Sequence, residues 1–432
     1  MIPTLLFVAF LVMMLMGVPI GAALGLAGAA CIALANADAQ WFGLLAVPQN
    51  FYAGLGKYPL LAIPMFVLVG SIFDRSGVAL RLVNFAVAIV GRGPGMLPLV
   101  AIVVAMFLGG ISGSGPANAA AVGAVMIAAM SRAGYPAAFS ASVVGAAAAT
   151  DILIPPSVAF IVYSVLVPGA SVPALFAAGM IPGILAGLAL IIPTVLLARK
   201  HKMGALESTL PRPPFWQSLR DASWGLAAPV LILGGMRAGW FTPTEAAVVA
   251  VFYGLFVGMV IHRTIQVRDL FVILRESGEL SAIILLVVSL AGIFAFSLST
   301  LGVIDPVTNA IVNSGLGEYG VLALLILMLI TVGMFLDGVS IFLIFVPLLW
   351  PIVQFYKWDP VWFGVILTLK VALGQFTPPL AVNLMVSCRI AGVRMEETVR
   401  WVGWMLFSMF LVMVSVIVWP ELALWLPRYL GY

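Results

Sequence analysis

Residues 173–198 of this chain run without one charged side chain, and long apolar stretches recur from one end of the sequence to the other. A helix of about 20 apolar residues rises about 30 Å, the thickness of the hydrocarbon core of a bilayer. In lipid every backbone amide and carbonyl must be paired within the protein, so repeated runs of this kind fold as spanning α-helices. A membrane barrel would instead show short segments of alternating hydrophobicity. Charged residues make up 8% of the chain and hydrophobic ones 63%, against about a quarter charged in an ordinary soluble domain. One or two soluble domains are thereby excluded, and the expected class is an all-α polytopic membrane protein.

The first apolar run, "MIPTLLFVAFLVMMLMG", has no Lys or Arg before it. It lacks the basic flank of a cleavable signal peptide and reads as a retained first helix. Cys31 and Cys388 both lie in apolar segments, where a thiol behaves as a small hydrophobe, and two cysteines make no metal or disulfide framework. The net charge of +4 is read as topology, because Lys and Arg in a membrane protein mark the cytoplasmic side. Nothing supports binding of nucleic acid.

Ten apolar spans are expected, at about residues 2–17, 18–35, 58–74, 136–167, 173–198, 222–236, 244–262, 280–300, 360–388 and 401–427. Two further apolar regions, about 97–131 and 320–356, are interrupted near the middle by "MFLGGIS" at Met106 and "MFLDGVS" at Met334. Arms of about 14 residues rise only about 21 Å, too short to cross, so both regions are expected to be re-entrant hairpins. With that arrangement fifteen Lys and Arg residues fall on one side, while Lys57, Arg237, Lys357 and Arg428 fall on the other. Such a bias makes the first side cytoplasmic and puts both termini outside. The segment from Asp74 to Gly95 is expected to hold an interfacial helix, since a crossing there would bury Arg81.

The heptapeptides belong to a larger repeat. "IPPS" at Ile154 is matched by "TPPL" at Thr377 in the same order after its hairpin. The first hairpin enters from the cytoplasmic side and the second from outside, which makes an inverted repeat of residues 1–198 and 225–432 joined by a cytoplasmic linker at 199–224. Each half then holds one hairpin and one broken transmembrane helix, about 136–167 and 360–388. Pro155–Pro156 and Pro378–Pro379 remove amide donors and leave carbonyls of the preceding turn without helical partners. The tips supply the complement. "GGISGSGPANAAA" begins a half-helix whose free N–H groups carry partial positive charge, with Ser112, Gly113, Ser114 and Asn118 beside it. Discontinuous helices that meet near mid-membrane are how secondary transporters hold a cation on carbonyls and an anion on half-helix N-termini. One such motif alone reads more readily as a small-residue packing contact; four in inverted order read as binding tips.

Three charged residues stand out beside these breaks. Asp151 adjoins the first break and Asp337 lies in the second tip, each serving either to cap exposed amides or to work on ions and substrate. Lys370 lies about 15 Å into its helix, near the bilayer centre. It either ties hairpin to helix through Asp337 or supplies a fixed cation to an ion or substrate site.

At these residues the sequence resembles the large membrane subunit of the tripartite ATP-independent periplasmic (TRAP) transporters. The segments "GGISGSGPANAAAVG", "TDILIPPSVAFIVYS" and "GQFTPPLAVNLMV" carry the resemblance, which extends over essentially the whole chain. It implies an elevator-type member of the ion-transporter superfamily in the bacterial inner membrane, importing an organic acid such as a dicarboxylate, sialic acid or sugar acid with sodium. It also implies two partners, a small four-helix membrane subunit and a periplasmic substrate-binding protein, and the chain is expected to carry neither fused to it. By the same resemblance sodium is held around Ser112, Ser114 and Asn118 with the break Thr150, Asp151, Pro155, Pro156 and Ser157. The resemblance also implies sodium held around Gly338 and Ser340 with the break from Gly374 through Thr377, Pro378 and Pro379. Sodium is the coupling ion, and no cofactor is expected.

Two rival classes fit parts of the sequence. "GISG" at Gly110 fits an intramembrane serine protease pattern, but its serine needs a histidine within hydrogen-bond reach, and His201 and His262 both lie in basic cytoplasmic loops. A phosphate-binding G-x-x-x-x-G-K-[ST] motif does not occur. The chain is therefore expected not to be an enzyme. A channel is the stronger alternative, since broken helices also line filters, but an inverted repeat favours alternating access.

Overall fold

The computed structural model describes residues 2–35, 44–90, 93–207, 212–334, 336 and 338–432, and among them every regular element is helical. The chain opens with α1 (Ile2–Leu15), α2 (Ile20–Ala35) and α3 (Ala46–Leu55), followed by α4 (Ala62–Arg75), which extends a single 3-10 turn at Tyr58–Leu61. A short α5 (Val78–Val90) falls where the interfacial helix was expected, and buries Val78, Leu82, Val83 and Ala86 on one face. Next come α6 (Met96–Ser112) and α7 (Gly115–Arg132), antiparallel neighbours joined at the first heptapeptide. The first Pro-Pro pair separates α8 (Ala137–Ala148) from α9 (Val158–Leu166), and α10 (Val172–Lys200) closes this half.

The second half begins with α11 (Phe215–Arg237), α12 (Pro243–Phe256) and the 34-residue α13 (Val267–Thr300). After α14 (Ile304–Val312), α15 (Gly317–Gly333) and α16 (Gly338–Phe355) flank the second heptapeptide. The second Pro-Pro pair separates α17 (Pro360–Gly374) from α18 (Val382–Ala391), and the chain ends with α19 (Val399–Val418) and α20 (Glu421–Leu430). Local chemistry sets several of these boundaries. Ser157 and Ser171 cap α9 and α10, Thr242 and Glu245 form a reciprocal box on α12, and the Asp359 carboxylate accepts from Val361 N and Trp362 N at 2.8 and 3.1 Å. Gly113 ends α6 at φ +60, a left-handed conformation that glycine adopts without steric cost.

Among the described residues six helices are long and apolar enough to cross a membrane: 58–75, α10, 243–261, α13, α16 and 395–418. Eight further apolar helices are shorter, among them α2, α6, α15 and α17. The hairpin arms differ from expectation in length. They hold 17 or 18 residues: α6 stays helical through the Gly-Ile-Ser tip, and in the second hairpin α15 already begins at Gly317 and α16 at Gly338. An 18-residue arm rises about 27 Å, so length alone no longer separates a hairpin from a crossing.

The helices pack as two groups. One gathers α2, α3 and α4 around α13, with α12 against α4; the other gathers α6 to α10 with α16 to α20. Contacts of α4 with α6 and of α13 with α16 join them. The second group is close-packed through small residues, with Gly145 of α8 against Leu384 and Gly183 of α10 against Leu153 and Ile154. On the side of the linker the start of α6 has no capping side chain of its own. Glu207, buried after α10, supplies one from a distance: it accepts from Leu97 N at 2.7 Å and from the Tyr135 hydroxyl at 2.5 Å. The same hydroxyl accepts from Gly95 N at 2.6 Å.

Candidate binding site at the helix breaks

The first tip lies on the first break. A Cβ at Gly109 would stand 2.9 Å from Asp151 Cα and 2.9 Å from its Oδ1, one at Gly110 would stand 3.3 Å from Pro155 O, and one at Gly113 2.8 Å from Pro156 O. Glycine at these places is what lets the two backbones touch, and it answers why the heptapeptide carries a Gly-Gly pair. Ser112 ends α6, and Ser114 begins α7 in an extended conformation without capping it. Asn118 is buried; its Nδ2 donates to Ala105 O at 2.8 Å, while its Oδ1 meets no partner among the described residues.

Across from this tip, the chain between α8 and α9 is irregular and fully buried. Thr150 donates its hydroxyl hydrogen to Ala147 O at 2.8 Å, and Ser157 donates to Ile152 O at 2.7 Å. Both oxygens keep lone pairs. The Pro155–Pro156 and Pro378–Pro379 bonds are both cis, at equivalent places in the repeat. A hard cation takes oxygen ligands. Asn118 Oδ1, the Asp151 carboxylate, the hydroxyls and the carbonyls of the break are an oxygen set of that kind, and among the described residues no group of three His, Cys, Asp or Glu competes with it.

The second tip and second break repeat the arrangement less fully. Gly333, at the end of α15, lies against Gly374: a Cβ on Gly374 would stand 2.9 Å from Gly333 O. Gly338 abuts Val371, Ser340 is buried in α16, and Thr377 donates to Leu373 O at 2.6 Å. Asp337 lies outside the described residues. Lys370 is buried, its ammonium is pressed against Gly333, and its Nζ finds no hydrogen-bond partner among the described residues. A cavity of about 240 Å³ beside it is lined by Leu373, Gly374, Thr377 and apolar residues of α15 and α19.

The family profile described as "Tripartite ATP-independent periplasmic transporter, DctM component" matches residues 7–422. The chain belongs to this family. A C4-dicarboxylate TRAP transporter large permease of Pseudomonas aeruginosa is 37% identical over 94% of each chain. A sialic acid TRAP transporter large permease of Vibrio cholerae is 33% identical over 96% of each. Among solved structures, the YdaH transporter of Alcanivorax borkumensis aligns with a TM-score of 0.56 at 14% identity, covering 88% of this chain and 90% of that one. That likeness concerns the fold. This DctM-family chain is thus a multi-pass membrane transport protein and not an enzyme.

Two residues that sequence reasoning passed over also enter the site. Gln375 and Asn383, at the two ends of the second break, lie against Gly115 at the start of α7. The signal was present in "GQFTPPLAVN", but polar amides beside a Pro-Pro pair read as ordinary helix ends until packing brings them to the start of α7.

Proposed function

We propose that this chain is the large permease of a TRAP system that carries an organic acid into the cell with sodium, with both termini on the periplasmic side of the inner membrane. The carrying observation is the convergence of the first tip with both breaks, which gathers buried oxygens and half-helix N-termini in one place. Sodium would be held by Asn118, Asp151 and the hydroxyls and carbonyls of the first break, and by Ser340, Thr377 and the carbonyls of the second. The acid's carboxylates would sit on first-turn amides. Treating α6–α7 and α15–α16 as re-entrant hairpins rests on the sorting of Lys and Arg, and the two packing groups are the natural moving and fixed bodies of an elevator. The named substrates of the relatives, C4-dicarboxylate and sialic acid, mark the range of acids.

Reconstitution in liposomes tests this. Saturable uptake should need the small membrane subunit and the binding protein and should follow the sodium gradient. Strong uptake by the chain alone would remove the tripartite reading, and flux that neither saturates nor depends on sodium would favour a channel.

A further inference from the structure

The two halves of the repeat are not chemically equivalent where they meet. Asn383 is 0% exposed, its Nδ2 donates to Gln375 Oε1 at 2.9 Å, and its backbone N donates to Gln375 O at 3.0 Å. These contacts fold the second break into a closed loop that aims the amide pair at α7. A Cβ on Gly115 would stand 2.6 Å from Gln375 Oε1 and 2.8 Å from Asn383 Oδ1, so glycine is needed for this approach. Asn383 Oδ1 nevertheless accepts nothing among the described residues. A buried acceptor left without a donor is costly and calls for a donor from water or from a ligand.

Shifted by the 223-residue offset of the Pro-Pro motifs, Asn383 corresponds to Phe160 and Gln375 to Ile152. The amide pair therefore exists on one side of the repeat only, unlike the duplicated tips. Both α7 and α18 direct their N-termini at this junction, and α18 packs along α7. Two partial positive charges favour an anion at this junction. An acceptor oxygen beside anion-binding amides matches a ligand with a carboxylate and a neighbouring hydroxyl.

We propose that Asn383, oriented by Gln375, is the hydroxyl-recognising residue of the substrate site, and that this permease prefers hydroxylated organic acids. The carboxylate rests on first-turn amides of α7 and α18, and the adjacent hydroxyl donates its hydrogen to Asn383 Oδ1. This rests on the organic-acid transport reading above.

The test uses the purified full chain in detergent with sodium, read by ligand-induced thermal stabilisation. The probes are three pairs of acids that differ by one hydroxyl beside the carboxylate: succinate and malate, glutarate and 2-hydroxyglutarate, hexanoate and 2-hydroxyhexanoate. Working on the permease itself keeps the binding protein's own selectivity out of the result. In at least one pair the hydroxylated member should bind about tenfold more tightly, the worth of one buried hydrogen bond. Asn383→Leu should bring the pair level, with a cooperative melting transition in the absence of ligand as evidence of a folded protein. Equal binding within every pair by the wild type, or a preference that survives in Asn383→Leu, would overturn the hydroxyl site and leave the transport reading standing. Should Asn383→Leu not fold, the wild-type comparison alone decides. Stabilisation by sodium with none from any acid would overturn both.

Discussion

Gly109→Ala tests whether the first tip works by backbone contact with the first break. Gly109 lies inside α6, so alanine gains about 0.5–1 kcal/mol of helix propensity. Against that, the new methyl would stand 2.9 Å from Asp151 Cα, a backbone atom that cannot turn aside as a side chain can. Inserting a methyl into a packed contact costs about 1–3 kcal/mol. The matched control is Gly278→Ala, an exposed position in α13 with nothing within 4 Å of the added carbon, which should collect the propensity gain alone. The two variants should therefore differ by about 1–3 kcal/mol in stability, read as thermal unfolding of the purified protein in detergent. Sodium titration supplies the second readout. Lifting the tip from Asp151 weakens the oxygen set, and each 1.4 kcal/mol of strain not recovered on binding lowers apparent affinity about tenfold. Equal melting temperatures and equal sodium midpoints for Gly109→Ala and Gly278→Ala would refute the contact argument.

Burial pushes the Glu207 carboxyl above its ordinary value, so folding favours its neutral form, and the stability it lends is present below the unfolded value of about 4.3 and lost as pH rises through the elevated one. The wild-type and Glu207→Gln stability curves should differ by that step in pH, and a double-mutant cycle with Tyr135→Phe should give a coupling of about 0.5–3 kcal/mol; a constant difference with no coupling would exclude the shared capping contact. For Lys370→Met, removal of an ammonium that no described residue pairs should leave melting unchanged or raised, while sodium-driven uptake is lost. A marked fall in melting temperature would instead reveal a structural ion pair.

Membrane class, the helical content and the places where helices break were legible in the sequence because each depends on local chemistry. Apolar runs must be helical in lipid, a Pro-Pro pair cannot continue a helix, and Gly113 and Ser157 end and begin helices by their own conformational and capping preferences. The length of the hairpin arms was misjudged, since glycine and serine in a tip can stay helical when neighbours pack on them, as Asp151 does on Gly109. Only the tertiary structure brought Asn383 and Gln375 of one half to Gly115 of the other, and Glu207 to the start of α6 across 110 residues. Contacts between residues so far apart follow from how helices stack in three dimensions, and no local pattern of side chains encodes them. Which oxygens are left without a donor is likewise a property of the assembled site, because an amide in a sequence is satisfied or not by what is folded against it.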